Sequence, residues 1–168
     1  MQYPSTECPP FFQFYANYVE GDLSAMLSSQ LETYVTYIRK IPQDKLLFRY
    51  APGKWTIKEV IGHNTDTERL KSGAALRIAR MDQTPIPGFE EDDYVAATNF
   101  NARSLESLLD EFIAVRKSTI ALYQSLTEEE RMRRGTASNK TVSSRVLFAF
   151  VAGHLAHHIK ILKERYQV

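Results

Sequence analysis

The sequence has one cysteine, Cys8, so no internal disulfide can staple the chain. That fits a reducing compartment, and the expected location is cytoplasmic. Residues Met1 to Pro10 carry no basic run followed by an apolar one, so no signal peptide is read there. No uninterrupted apolar stretch approaches the roughly 20 residues needed to span a bilayer, and no membrane association is expected. An excess of one charge sign is missing too: the net charge is +1, with acids and bases alternating along the chain. The densest basic group is Arg131, Arg133 and Arg134. It reads as a solvated segment between helices, and no nucleic-acid partner is expected without a basic face. There is no internal repeat or low-complexity stretch, and no β-type alternation survives four residues.

What is present is ordinary for a globular protein. Apolar residues make up 43% and charged residues 24% of 168, enough for a single domain over residues 1–168 with a real core. Helical periodicity dominates. Leu23, Met26, Leu27, Leu31, Tyr34, Val35 and Ile38 line one face, with Asp22 as N-cap and Pro42 as a stop. Phe11, Phe12, Phe14, Tyr15 and Tyr18 form an aromatic lead-in before it. Thr56 and Glu59 make a capping box that opens a second helix ending near Met81. Its inner face carries Val60, His63, Thr67, Leu70, Ala74 and Ile78. Pro85 to Phe100 reads as an ordered loop across a bundle end. A third helix spans about Ser104 to Ser125, and a second capping box at Thr127 and Glu130 opens a turn or two. Gly135 to Lys140 is read as a loop, and a last helix runs from about Val142 to Tyr166. The expected fold is therefore all-α, a four-helix bundle, with the order of connections left open.

The four histidines are not scattered. His63 sits on the inner face of the second helix. His154, His157 and His158 sit in the last helix, whose apolar stripe runs Leu147, Phe150, Val151, Ile161 and Leu162. At about 100° per residue, His154 and His158 fall within about 30° of that stripe's centre and His157 about 75° away. Two inward imidazoles at i and i+4 can present nitrogens to a common point, as zinc-protease helices do. A third from a facing helix would complete a metal site with open positions. The residues alone leave a second reading open: three buried histidines hydrogen-bonded as a polar core.

Two segments carry a resemblance. One is Ala51-Pro52-Gly53-Lys54-Trp55-Thr56-Ile57-Lys58-Glu59-Val60-Ile61-Gly62-His63 with its continuation Asp66-Thr67-Glu68-Arg69. The other is Gly153-His154-Leu155-Ala156-His157-His158-Ile159-Lys160-Ile161-Leu162-Lys163-Glu164-Arg165-Tyr166. Together they resemble the second and last helices of the DinB/YfiT-like superfamily. The resemblance implies a four-helix bundle connected down-up-up-down, often a homodimer. It also implies one divalent metal, nickel or zinc, on His63, His154 and His158. His157 matches a family histidine that is not usually a ligand, and is expected to support the site from behind or to lie on the surface.

The resemblance leaves the reaction open between three classes. The first is a metal-dependent transferase that joins a low-molecular-weight, bacillithiol-like thiol to a small electrophile. It needs no protein nucleophile, and the sequence offers none, Cys8 lying in the aromatic lead-in. Its rim candidates are Trp55, Arg69, Tyr94 and Arg145. The second is a metal-dependent hydrolase, which wants a base near the metal. Glu59 and Asp66 flank His63 by about one turn, Glu59 being engaged by its cap and Asp66 able to orient His63 from behind. The third is a non-enzymatic, stress-related metal-binding module, whose Arg69, Arg77 and Arg80 could meet an acidic partner.

Overall fold

Each long helix begins where a capping side chain stands. Asp22, Thr56, Ser104 and Ser143 accept hydrogen bonds from the backbone N–H of Ala25, Glu59, Ser107 and Val146. In the computed structural model, which describes residues 2–168, the elements follow in order. They are α1 (Pro10–Ala16), α2 (Leu23–Arg39), α3 (Ile57–Ala79), α4 (Glu91–Ala96), α5 (Leu105–Ser125), α6 (Glu128–Met132), β1 (Arg134–Ala137), β2 (Lys140–Ser143) and α7 (Ser144–Ile161). The last helix continues as a π-helical turn over Leu162–Tyr166. Both capping boxes form, at Thr56–Glu59 and at Thr127–Glu130.

Four helices, α2, α3, α5 and α7, make the bundle. Contacts along the chain give their directions. Arg39 pairs with Glu106 and Gln30 with Arg116, so α2 and α5 are antiparallel. Lys58 reaches Arg103 and Glu68 reaches Arg116, so α3 runs parallel to α5. Ser144 meets Ala75 and Tyr166 meets Trp55, so α7 is antiparallel to α3. Gln30 meets Ala152 and Tyr37 meets Val168, so α2 is parallel to α7. Neighbours around the ring are α2, α5, α3 and α7, leaving α2/α3 and α5/α7 as the diagonals. The directions are up-down-down-up, the order the resemblance implied and periodicity alone left open.

Two apolar clusters fill the bundle, one around Phe12, Leu27, Leu147 and Phe148, the other around Ile38, Ile61, Leu108 and Phe112. Between them lies a polar layer. Arg116, 0% exposed, donates to both carboxylate oxygens of Glu68 at 2.8–3.0 Å and to Gln30 Oε1 at 2.8 Å. Gln30 in turn donates to the carbonyl of Ala152 at 2.8 Å. One guanidinium thus links all four helices. The sequence pattern held the signal, since Arg116 follows Phe112 by one turn on the buried stripe of α5.

Three readings of the sequence change. Gly135 to Lys140 is not a loop but the centre of a β-hairpin, closed by Ser138 and Asn139, both with positive φ. Its four-residue strands are too short to show alternation. The segment before α4 lies against it, Ile86 exchanging hydrogen bonds with Thr136 and Ser138. Leu70 is 37% exposed, not part of the inner face. Pro85 to Phe100, read as a loop, contains helix α4. No reading changes at Ser144–Tyr166, a helix long and apolar enough by length and composition to cross a membrane, a test that a buried core helix also passes. Of its most apolar window, 61% is buried against the bundle. The lead-in α1 packs on α7 so closely that a Cβ on Gly153 would lie 1.9 Å from the Tyr15 carbonyl oxygen.

Replacing Arg116 by Ala strands Glu68 as a buried unpaired charge and should cost about 3–5 kcal/mol in urea unfolding. The double change Glu68→Leu with Arg116→Met should recover most of that loss. Equal destabilisation by the single and the double variant would contradict this account of the layer.

Candidate metal centre

His63 comes from α3, and His154 and His158 come one turn apart from the antiparallel α7. They are 5%, 5% and 9% exposed. His63 Nε2 and His154 Nε2 are 3.1 Å apart, and the three rings sit with centroids 4.5–5.0 Å apart. One ring nitrogen from each lies within 4.8 Å of the others. Helical phase turned His154 and His158 inward and His157 to the flank; in the structure His154 and His158 lie grouped with His63, and His157 is not part of that group.

Burial sets the electrostatics. It holds the His63 imidazole well below its ordinary range, down to about 4, against a smaller opposing pull from the Asp92 carboxylate. His154 and His158 are likewise held far below it, by burial first and then by the neighbouring imidazoles. Three neutral imidazoles therefore face one another, and neutral imidazole is the ligating form. Among the described residues no carboxylate, hydroxyl or thiol hydrogen-bonds to any of them, and His158 Nδ1 is buried without a partner. A polar core would satisfy such an atom. The donor set fits a divalent cation: three nitrogens, two of them at about the spacing of neighbouring ligands on a tetrahedral zinc with bonds of about 2.0–2.1 Å.

The histidines line a cleft of about 800 Å³. Tyr15, Trp55 and Phe150 form aromatic walls around them, Phe150 stacking on His154 at 17° and Trp55 packing 4.5 Å from His63. Gly88 to Asp92 and the hairpin tip Ser138–Lys140 close the other side. The connection read as an ordered loop across a bundle end is thus a wall of the site. Its exposed acids Glu90, Glu91 and Asp92 line the cleft, with Asp92 accepting from Trp55 Nε1 at 2.9 Å.

The other candidates scatter. Glu59 lies outside the cleft, held by the Thr56 backbone, Arg49 and Asn101. Asp66 points toward α5 beside Arg69 and Glu111, away from the histidines. His157 lines the cleft edge, with Nδ1 3.1 Å from the Tyr18 hydroxyl. Of the rim candidates only Trp55 reaches the cleft. Arg69 pairs with Glu111, Arg145 with Glu7, and Tyr94 packs on Phe89. Arg77 and Arg80 are taken up by Asp82 and Glu130. Cys8 is buried elsewhere, and burial pushes its thiol up to about 11. Sequence reasoning missed Lys71 and the acids of α4. Lys71 was legible from spacing, since it follows His63 and Thr67 at four-residue steps.

The family model of the DinB superfamily matches residues 26–162, most of the chain and all three histidines. The chain belongs to the DinB superfamily. Its fold is similar to that of YfiT from Bacillus subtilis, a protein proposed to be a metal-dependent hydrolase and noted for an unusual four-helix bundle topology. The two share 13% sequence identity with a TM-score of 0.74, over 99% of this chain and 92% of that one. A comparison with curated proteins gives no significant match. At that identity the likeness concerns the fold. The cleft lies beside α3 and α7, the two helices that carry the histidines.

Replacing His63, His154 or His158 by Ala should each lower zinc affinity more than about 100-fold, because losing even a group behind a ligand costs about 10–100-fold. His157→Ala should cost no more than about tenfold on the same scale. Competition with a chromophoric chelator reads this, and equal losses at His157 and His158 would break the assignment. The metal-free protein should also be acid-sensitive. Its unfolded chain takes up protons near pH 6.5, about where free imidazole titrates, whereas folded His63 does so only near 4. Stability from the buried neutral rings is then complete above about pH 6.5 and falls as the pH drops toward 4. Urea midpoints across that range should fall steadily in the metal-free protein.

Proposed function

We propose that this DinB-superfamily protein is a metal-dependent transferase that conjugates a low-molecular-weight thiol to a small electrophile. The observation that carries the reading is the set of three neutral imidazoles at the cleft floor, to which no carboxylate, hydroxyl or thiol is bonded among the described residues. Thiol transfer asks the protein for no nucleophile and no base in contact with the metal. A metal on His63, His154 and His158 supplies a Lewis-acidic centre that lowers the pKa of a bound thiol. The chain's own residues do the rest. Trp55, Tyr15 and Phe150 exclude water and pack the apolar parts of both reactants. A cleft of about 800 Å³ is large enough for two small molecules side by side.

Hydrolysis is the second reading. Glu91 on the facing wall favours it, because a carboxylate there could take a proton from water. The description of YfiT points the same way for that protein.

The two separate in one assay. Zinc- or nickel-loaded protein is offered a cysteine-based thiol with a chloro-aromatic electrophile, and separately a panel of esters and amides. Conjugation that needs both metal and protein, and is lost in His154→Ala, is the expected result. Turnover of an ester or amide without thiol, lost in Glu91→Gln, would replace transfer with hydrolysis.

A further inference from the structure

Lys71 is a buried cation that the three histidines do not account for. It lies on α3 two turns beyond His63, with Thr67 between, so the three share one face. Lys71 is 7% exposed and lines the same cleft. Among the described residues its Nζ has no hydrogen-bond or ion-pair partner. It is surrounded instead by the rings of Phe150, Phe89 and Phe12 at 5.3, 5.4 and 5.8 Å. Burying an ammonium without a counter-ion is unfavourable, and three ring faces compensate only in part. Thr67 repeats the pattern on a smaller scale: it is 2% exposed, lines the cleft, and its hydroxyl has no partner. Side chains on a helix lean toward its N-terminus, which inclines the Lys71 stem toward His63. Phe150 bridges the two features, stacking on His154 while its ring faces Lys71.

We propose that Lys71 and Thr67 form an anion subsite beside the three histidines, which takes the carboxylate of a small, partly apolar substrate. The inference rests on reading the cleft as a substrate site. Lys71 supplies the charge, Thr67 a hydroxyl donor, and Phe89 and Phe150 an apolar wall for the carbon skeleton next to the carboxylate. The carboxylate completes the counter-ion that the fold itself withholds. Burial pulls the Lys71 ammonium below its ordinary range, and the Glu91 carboxylate on the exposed wall opposes this by favouring the charged form. Together Glu90, Glu91 and Asp92 make that wall unfavourable to a second negative group, so the site selects monoanions over dianions.

The test reads binding and does not depend on turnover. Calorimetry compares 3-phenylpropionate with its neutral amide on the zinc-loaded full chain, then on the same chain stripped of metal. The wild type should hold the carboxylate at least about tenfold more tightly than the amide in both states, as a charge-assisted contact requires. Lys71→Met should abolish the preference while leaving zinc stoichiometry intact, and Lys71→Arg should keep it. Thr67→Val should weaken carboxylate binding about tenfold, the effect of one hydrogen bond to a charged group. Should Lys71→Met fail to fold, Lys71→Gln is read in the same way. Equal binding of acid and amide by the wild type overturns the subsite. So does a preference that survives Lys71→Met, or one seen only with zinc bound, which would assign the carboxylate to the metal. Failure of thiol conjugation, by contrast, removes the proposed reaction and leaves this result standing.

Discussion

The buried guanidinium of Arg116 is the interaction on which the alignment of the bundle depends. Apolar side chains hold helices together but tolerate sliding, because one methyl group packs much like another. A buried charge tolerates no such slip, since every donor must meet its acceptor. Arg116 meets Glu68 on α3 and Gln30 on α2, and Gln30 meets the Ala152 carbonyl on α7. Glu68 follows Thr67 directly, and Ala152 stands two residues before His154. The layer therefore sets the relative heights of α3 and α7 at the level where their histidines face each other.

With that alignment in place, the cleft has two electrostatic zones. At its floor, burial keeps three imidazoles neutral and ready to ligate. Two turns along α3, the same burial leaves an ammonium among aromatic rings. The exposed acids of α4 face both from across the cleft. Aromatic residues connect these zones: Phe150 touches both His154 and Lys71, and Trp55 joins His63 to Asp92. The lead-in helix α1 seals the remaining side, and it can approach only because residue 153 is glycine.

The helices and the ligand candidates were legible because both depend on local periodicity. Asp22, Thr56 and Thr127 stand where caps were expected. His154 and His158 separate from His157 by phase alone. Arg116 and Lys71 were equally regular in spacing, yet a charged residue on an inner face is read by habit as an interruption. Glu59 and Asp66 show the limit of spacing alone. Their distance from His63 in sequence was right for supporting it, but Glu59 caps its own helix and Asp66 faces α5. The β-hairpin was hidden because its strands are shorter than one cycle of a recognisable pattern.

The sequence by itself determined the four amphipathic helices, their starts, and which two histidines of the last helix turn inward. These follow from the 3.6-residue period and from side chains that bond their own backbone, both properties of contiguous residues. Only the tertiary structure decided that His63 meets His154, that Lys71 shares their cleft, and that residues 88–92 and the hairpin tip wall it. Those outcomes depend on helix direction and register, which arise from contacts between residues as far apart as Gln30 and Ala152. No local pattern encodes such a pairing, because its energy exists only once all four helices are in place.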